Sequence, residues 1–163
     1  MMTSFYIKTL LVFVLLVIIQ ITLIPFLSYR QIAPDLILIL LVFFTLNTGQ
    51  LKGTIMGFTL GLLFDIISGG VIGSAAFSKT LCGFLTGYFY NENKMDFNLK
   101  SFMFLAIVLI IGTVDSIVYS FFSTPEFEQN LIILFFQQGI LPALYSAVIA
   151  LPVVVFSSKK VFV

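Results

Sequence analysis

This sequence predicts an all-α fold: a polytopic membrane protein with six transmembrane helices and cytoplasmic N- and C-termini. Three observations carry the prediction. Hydrophobic residues make up 60% of the chain and charged residues only 9%, against roughly 25% charged in an ordinary soluble domain, so a water-facing surface could not be covered. Most of the apolar stretches are long enough, at about 1.5 Å per residue, to cross a hydrocarbon core of about 30 Å. Threaded through six spans, the chain also sorts its basic residues to one side. One six-helix transmembrane domain over 1–163 is expected, because no low-complexity arm, charge block or domain-sized loop interrupts the apolar pattern.

The elements follow in order. Residues 5–27 form the first span; the apolar run is too long for a signal peptide and no A-x-A-like site follows it, so a retained helix is expected. Pro25 helps to end it. After a short connection with Arg30, Pro34 and Asp35 open a second, shorter helix over 36–46. Proline suits a first helical position, and a carboxylate there meets the positive end of the helix dipole. Asp35 thus reads as a helix-start residue at the interface. Asn47-Thr48-Gly49 is a stop signal, and 50–53 leads into a third helix over 54–68. Gly69 and Gly70 turn the chain into a fourth helix over 71–90. A charged connection with Glu92, Lys94, Asp96 and Lys100 precedes a fifth helix over 101–122. The sixth, over 131–156, contains Gln137, Gln138, Pro142 and Pro152, and prolines inside a span are expected to kink it.

With the N-terminus inside, the inner segments hold Lys8, Lys52, Lys94, Lys100, Lys159 and Lys160, and the outer connections hold only Arg30. The last outer loop carries Glu126 and Glu128 instead. The predicted location is therefore the bacterial inner membrane, crossed several times, with the lipid bilayer as the main surrounding.

Composition also excludes functions. Histidine is absent and Cys82 is the single cysteine, so no Cys/His metal cluster and no intramolecular disulfide can form. A net charge of +1 gives no field for nucleic acid. No nucleophile has a base beside it, and no phosphate-binding glycine turn follows a strand. No catalytic residue, no metal and no cofactor is implied. An intramembrane aspartyl pair of Asp65 and Asp115 is improbable with Lys79 between them.

The stretch over 53–87 is the most informative. Gly53, Gly57, Gly61 and Asp65 recur every four residues, as do Lys79, Gly83 and Gly87. On helices these positions share a face, and Gly-xxx-Gly lets neighbouring backbones approach closely in lipid. Gly69, Gly70 and Gly73 supply the turn between them. Asp65, Lys79 and Asp115 are intramembrane charges, expensive unless they meet protein. From the expected helix ends, Asp65 lies roughly 5 Å and Lys79 and Asp115 each roughly 12 Å below the outer surface. A cluster in the outer half of the membrane is expected, with Lys79 bridging Asp115 and Asp65. It reads either as a clamp pinning three helices or as the lining of a cavity for a ligand, a proton or a partner group. Gly112, Ser116 and Ser120, and likewise Gly139, Ala143 and Ala147, make further small-residue stripes for internal packing.

Several of these motifs together resemble a known family. Ala33-Pro-Asp-Leu-Ile-Leu-Ile-Leu, Gly49-Gln-Leu-Lys-Gly53, Gly57-Phe-Thr-Leu-Gly-Leu-Leu-Phe-Asp65 and Ser68-Gly-Gly-Val-Ile-Gly73 resemble the MreD family of rod shape-determining membrane proteins. Lys79-Thr-Leu-Cys-Gly-Phe-Leu-Thr-Gly-Tyr88 looks like that family's next helix. The resemblance covers about a third of the chain, over 33–88. It implies a non-catalytic inner-membrane subunit of the cell-elongation machinery, which directs lateral peptidoglycan synthesis. Its partners would be the single-span protein MreC and, through it, MreB and the RodA–penicillin-binding-protein synthase. In helix count and size the family is also similar to the substrate-binding subunits of energy-coupling-factor transporters. The alternative is therefore a subunit that binds or transports a small, vitamin-like molecule.

Overall fold

A computed structural model of the protein describes residues 2–22, 33–91, 102–123 and 139–158, with the backbone alone at 2–8, 10 and 152–158. Six α-helices run through the described residues: α1 (Met2–Thr22), α2 (Leu36–Thr48), α3 (Gln50–Ser68), α4 (Ser74–Thr86), α5 (Phe102–Ser123) and α6 (Leu141–Ser158). No strand occurs among them. Several sequence expectations fall outside the described residues: those on Pro25, Arg30, the connection 92–100, Glu126, Glu128, Gln137, Gln138, Lys159 and Lys160.

The hub is α2. Its sequence, LILILLVFFTLNT, offers no polar face until its last turns, and Ile37, Leu38, Leu41, Val42, Phe44 and Leu46 are all buried. A helix apolar all round belongs in an interior. The other five helices all pack against it. Its residues Leu38, Leu41 and Val42 join Phe104, Ile107 and Ile111 of α5 and Ala147 and Ala150 of α6 in one core. Ile37 joins Phe13 and Val17 of α1 and Leu60 of α3 in another. Phe13 and Val17 are one turn apart, so a single stripe of α1 is buried while Leu11, Leu15 and Ile18 stay exposed.

Helix boundaries depart from expectation at several ends: α1 begins at Met2 and α2 runs on to Thr48. Residues 50–53 are helical rather than a connection. Gly49, at φ +94°, is the one residue between α2 and α3; it closes α2 with its N–H on the Thr45 carbonyl, and its own carbonyl receives the Gly53 N–H. That backbone conformation is open to glycine and strained for most other residues. The fourth helix begins at Ser74, since Val71 to Gly73 belong to the turn, and it closes in a 3-10 turn at Gly87–Phe89. Residues 139–140 are π-helical and lead directly into α6, so Pro142, the second residue of α6, lies inside a continuous helical run, as expected of a proline within the last span.

Among the described helices, α3 and α4 approach one another backbone to backbone. A Cβ on Gly57 would overlap the Lys79 carbonyl, one on Gly61 would meet Ala75 and Ala76 backbone, and one on Gly83 would overlap the Gly53 carbonyl. A Cβ on Gly53 would meet the Thr45 side chain, and one on Gly87 the Gln50 side chain and its Cα, just as closely. Backbone therefore lies on backbone at three successive levels, which only glycine permits. Gly112 of α5 instead faces Ala143 Cβ of α6 and the Leu38 side chain at 3.2 Å each.

Much of the outer surface of the described helices is apolar. Leu51, Ile55, Phe58 and Ile66 of α3 and Phe102, Ile110 and Phe121 of α5 are exposed, an extent that suits lipid rather than water. Both helices are long and apolar enough to cross a membrane; shorter apolar stretches lie in α1, α2 and α6.

Gly57→Ala should lower stability by about 1–3 kcal/mol, because the clash is with backbone that cannot turn aside. Gly112→Ala should cost less, since the Leu38 side chain can shift. Thermal unfolding of the two variants in detergent, side by side, tests the ranking; equal midpoints would refute it.

Candidate functional site

Two carboxylates that look alike in sequence are used in different ways. At the start of α4, Gly73 stands at φ +100° and offers no side chain to cap the helix. Its orphan N–H groups are met by Asp65, from the last turn of α3. Asp65 Oδ2 accepts from the N–H of Gly73 (2.9 Å) and Ala76 (3.1 Å), and Oδ1 from the N–H of Ala75 (3.1 Å) and the Ser74 hydroxyl (3.3 Å). Four donors on one carboxylate, 1% exposed, make a helix cap supplied by the preceding helix. The dipole of α4 favours the negative charge there.

Lys79 is 2% exposed, and its ammonium donates to Asp35 Oδ2 and to Asp115 Oδ2, the latter at 2.9 Å. This corrects the expected pairing: Lys79 bridges Asp115 and Asp35, and Asp65 does not join it. The physical reason is twofold. The oxygens of Asp65 are taken by backbone donors, and the Lys79 carbonyl side of α4 is pressed onto Gly57 of α3. The lysine stem leads instead to α2 and α5. Asp115 is held from its other oxygen by the Ser78 hydroxyl at 2.9 Å, with Cys82 Sγ 3.6 Å away.

Asp35 does more than open a helix. Its Oδ1 caps α2 by accepting the Leu38 N–H at 3.0 Å, its Oδ2 receives Lys79, and its own N–H donates to Ser146 Oγ of α6 at 2.8 Å. Next to it, the Leu36 N–H donates to Gln20 Oε1 of α1 at 2.9 Å. The start of α2 is thus tied to α1, α4 and α6, and through Lys79 to α5. Sequence reasoning missed Asp35, Gln20 and Ser146 as members of this network. One signal was available: an Asp leading into a helix apolar on all sides starts inside protein and needs a partner there.

Beside the ion cluster lies a cavity of about 290 Å³. Gln20, Pro34, Phe64 and Pro142 border it, and α5 lines it with Asp115, Ser116, Tyr119, Ser120 and Ser123. Among the described residues, no buried side-chain nitrogen or oxygen lacks a hydrogen-bond partner, and no three His, Cys, Asp or Glu side chains gather as a metal would require.

A family model for the rod shape-determining protein MreD matches residues 1–160. The chain belongs to the MreD family. The match extends well past 33–88, where the recognisable motifs fall, and takes in α1, α5 and α6 as well. MreD-family proteins are membrane proteins of the rod-shape system, and the family is not one of known enzymes. Neither the curated proteins nor the solved structures contain a match to the chain.

Lys79→Leu should lower folded yield sharply, by the equivalent of about 3–5 kcal/mol, because two buried carboxylates lose their counter-charge. Adding Asp35→Asn and Asp115→Asn to it should restore most of the yield; a triple variant no better than the single one would count against a charge clamp. Asp65→Ala should cost about 1–3 kcal/mol and raise amide hydrogen exchange at 73–76, where the freed N–H groups lie.

Proposed function

We propose that this MreD-family chain is a non-catalytic, multi-pass subunit of the bacterial cell-elongation complex in the inner membrane. In this reading all six helices cross the bilayer, both termini are cytoplasmic, and the α3–α4 turn faces outward. The chain holds an MreC-like single-span protein, and through it MreB and the RodA–penicillin-binding-protein synthase that inserts lateral peptidoglycan. The observation that carries the reading is the family match over 1–160. The packing supports it: charged groups that lock α2, α4 and α5 together make a stiff body, which a scaffold needs in order to hold a partner in register.

A second reading is favoured by the cavity of about 290 Å³ at the ion cluster. Polar groups converging on a concave, largely apolar space are the usual form of a small-molecule site, and a binding or transport subunit similar to those of energy-coupling-factor transporters would have one toward the outer face.

Purification from the native host separates the two. The scaffold reading expects a stoichiometric single-span partner to co-purify, and depletion to turn rods into spheres. A co-purifying ATPase module, with cell shape unchanged on depletion and a new vitamin requirement, would favour the second and overturn the first.

A further inference from the structure

Helix lengths measure how deep the ion cluster lies. Asp35 stands 14 residues before Gly49, where α2 turns directly into α3 beside the exposed Lys52; that is about 21 Å from the inner end at about 1.5 Å per residue. Of a hydrocarbon core of about 30 Å, roughly 9 Å remain above it. Asp115 lies eight residues before Ser123, the end of α5, which gives about 12 Å. Two helices thus place the cluster in the outer half of the membrane. At that depth the chain is not sealed in helices: residues 33–35 are non-helical, and all three border the cavity. Inside a bilayer such backbone occurs where protein buries it or where it lines water. The Asp35 side chain also keeps 23% of its surface accessible, an exposure that hydrocarbon penalises and water does not.

The surroundings differ above and below the cluster. Above it, Ser116, Tyr119, Ser120 and Ser123 carry a polar lining along one face of α5 to its last residue. Below it the space is closed: Leu38, Leu41, Val42, Cys82, Ile107 and Ile111 are each at most 1% exposed and pack in one core. From these observations we propose that the cavity is a water-filled vestibule, open to the outer side of the membrane and sealed toward the cytoplasm by the core of α2, α4 and α5. About 290 Å³ is room for roughly ten waters at about 30 Å³ each, and a polar lining is the kind that holds them. Water then reaches the place where Gln20, Asp35, Phe64, Lys79, Asp115 and Pro142, one from each helix or its cap, come together. It solvates the open edge of the cluster without a path through the bundle.

The outward direction rests on the orientation proposed above, and the test keeps the two apart. The chain carries one thiol of its own, Cys82, which lies in the seal; Ser116→Cys adds a second in the vestibule. Right-side-out and inside-out membrane vesicles holding the full chain are treated with a membrane-impermeant, cationic methanethiosulfonate. Such reagents attack the thiolate, which forms in water. Val148→Cys is the control: Val148 is 59% exposed, and it lies as many residues from the start of α6 as Ser116 does from the end of α5. With the reagent outside, Ser116→Cys should react at least tenfold faster than Val148→Cys, and Cys82 should stay unmodified from both sides. Hydroxyl-radical footprinting needs no substitution: Tyr119 should be oxidised at least tenfold faster than Phe58, which is 52% exposed on the apolar surface of α3, and this readout decides alone if Ser116→Cys fails to fold. Folded Ser116→Cys reacting no faster than the control from either side, or Tyr119 oxidised no faster than Phe58, overturns the vestibule and leaves the proposed topology untouched. Modification of Cys82 from the inner side overturns the seal. Reaction of Ser116→Cys from the inner side alone overturns the outward direction, and the topology with it.

Discussion

A lysine ammonium enclosed among helices has to be neutralised by the protein itself, and the rest of this bundle is arranged around that requirement. Lys79 reaches Asp35 at the start of α2 and Asp115 within α5. Removing a charge from water costs several kcal/mol even after relaxation, and attraction offsets this only where geometry is good and the remaining donors and acceptors are met. Here they are met: Ser78 holds the second oxygen of Asp115, and the Leu38 N–H holds the second oxygen of Asp35. Such a cluster adds little net stability over apolar packing, but it penalises any arrangement in which one helix slides or rotates away. It therefore selects one register among α2, α4 and α5, where uniformly apolar surfaces alone would allow several.

That register depends on the glycine contacts one layer away. Gly57 admits the Lys79 carbonyl, Gly61 admits the Ala75–Ala76 backbone, and Gly83 meets the Gly53 carbonyl. With α4 seated this close to α3, the end of α3 comes within reach of the first N–H groups of α4, and Asp65 can cap them. The three features are mutually supporting. A side chain at Gly61 would lift α4 away from α3, loosen the Asp65 cap and move the Lys79 stem relative to Asp115.

Much of this was legible in the sequence. Spacing identified the glycine faces, and the cost of a buried charge identified Lys79 and Asp115 as residues in need of partners. Two things were hidden. Depth and chain proximity favoured Asp65 for Lys79, but depth does not say which way a side chain leaves its helix, and the local backbone's demand for a cap cannot be seen until Gly73 is known to end the turn without one. Asp35 was hidden differently. A Pro-Asp pair before an apolar run reads as a helix start at an interface, and it is a helix start; what the pattern could not show is that α2 is surrounded by the other five helices, so that its beginning lies indoors. The shortness and all-round apolarity of α2 were the clue. They describe a helix made to be covered by protein.

The ion cluster and the cavity also explain each other. Two carboxyl groups meet one lysine here, and each ties a different helix to α4: Asp35 the start of α2 and Asp115 the body of α5. The second acid makes sense at the edge of a polar space. Asp35 is the member with its side chain partly open, and Ser116, Tyr119, Ser120 and Ser123 continue the polar lining along α5. The hydroxyls follow one another at helical spacing on the same face as Asp115, so the face of α5 that leads to the clamp also lines the cavity. A single surface thus fixes the helices at its buried end and lines the cavity with polar side chains along the rest.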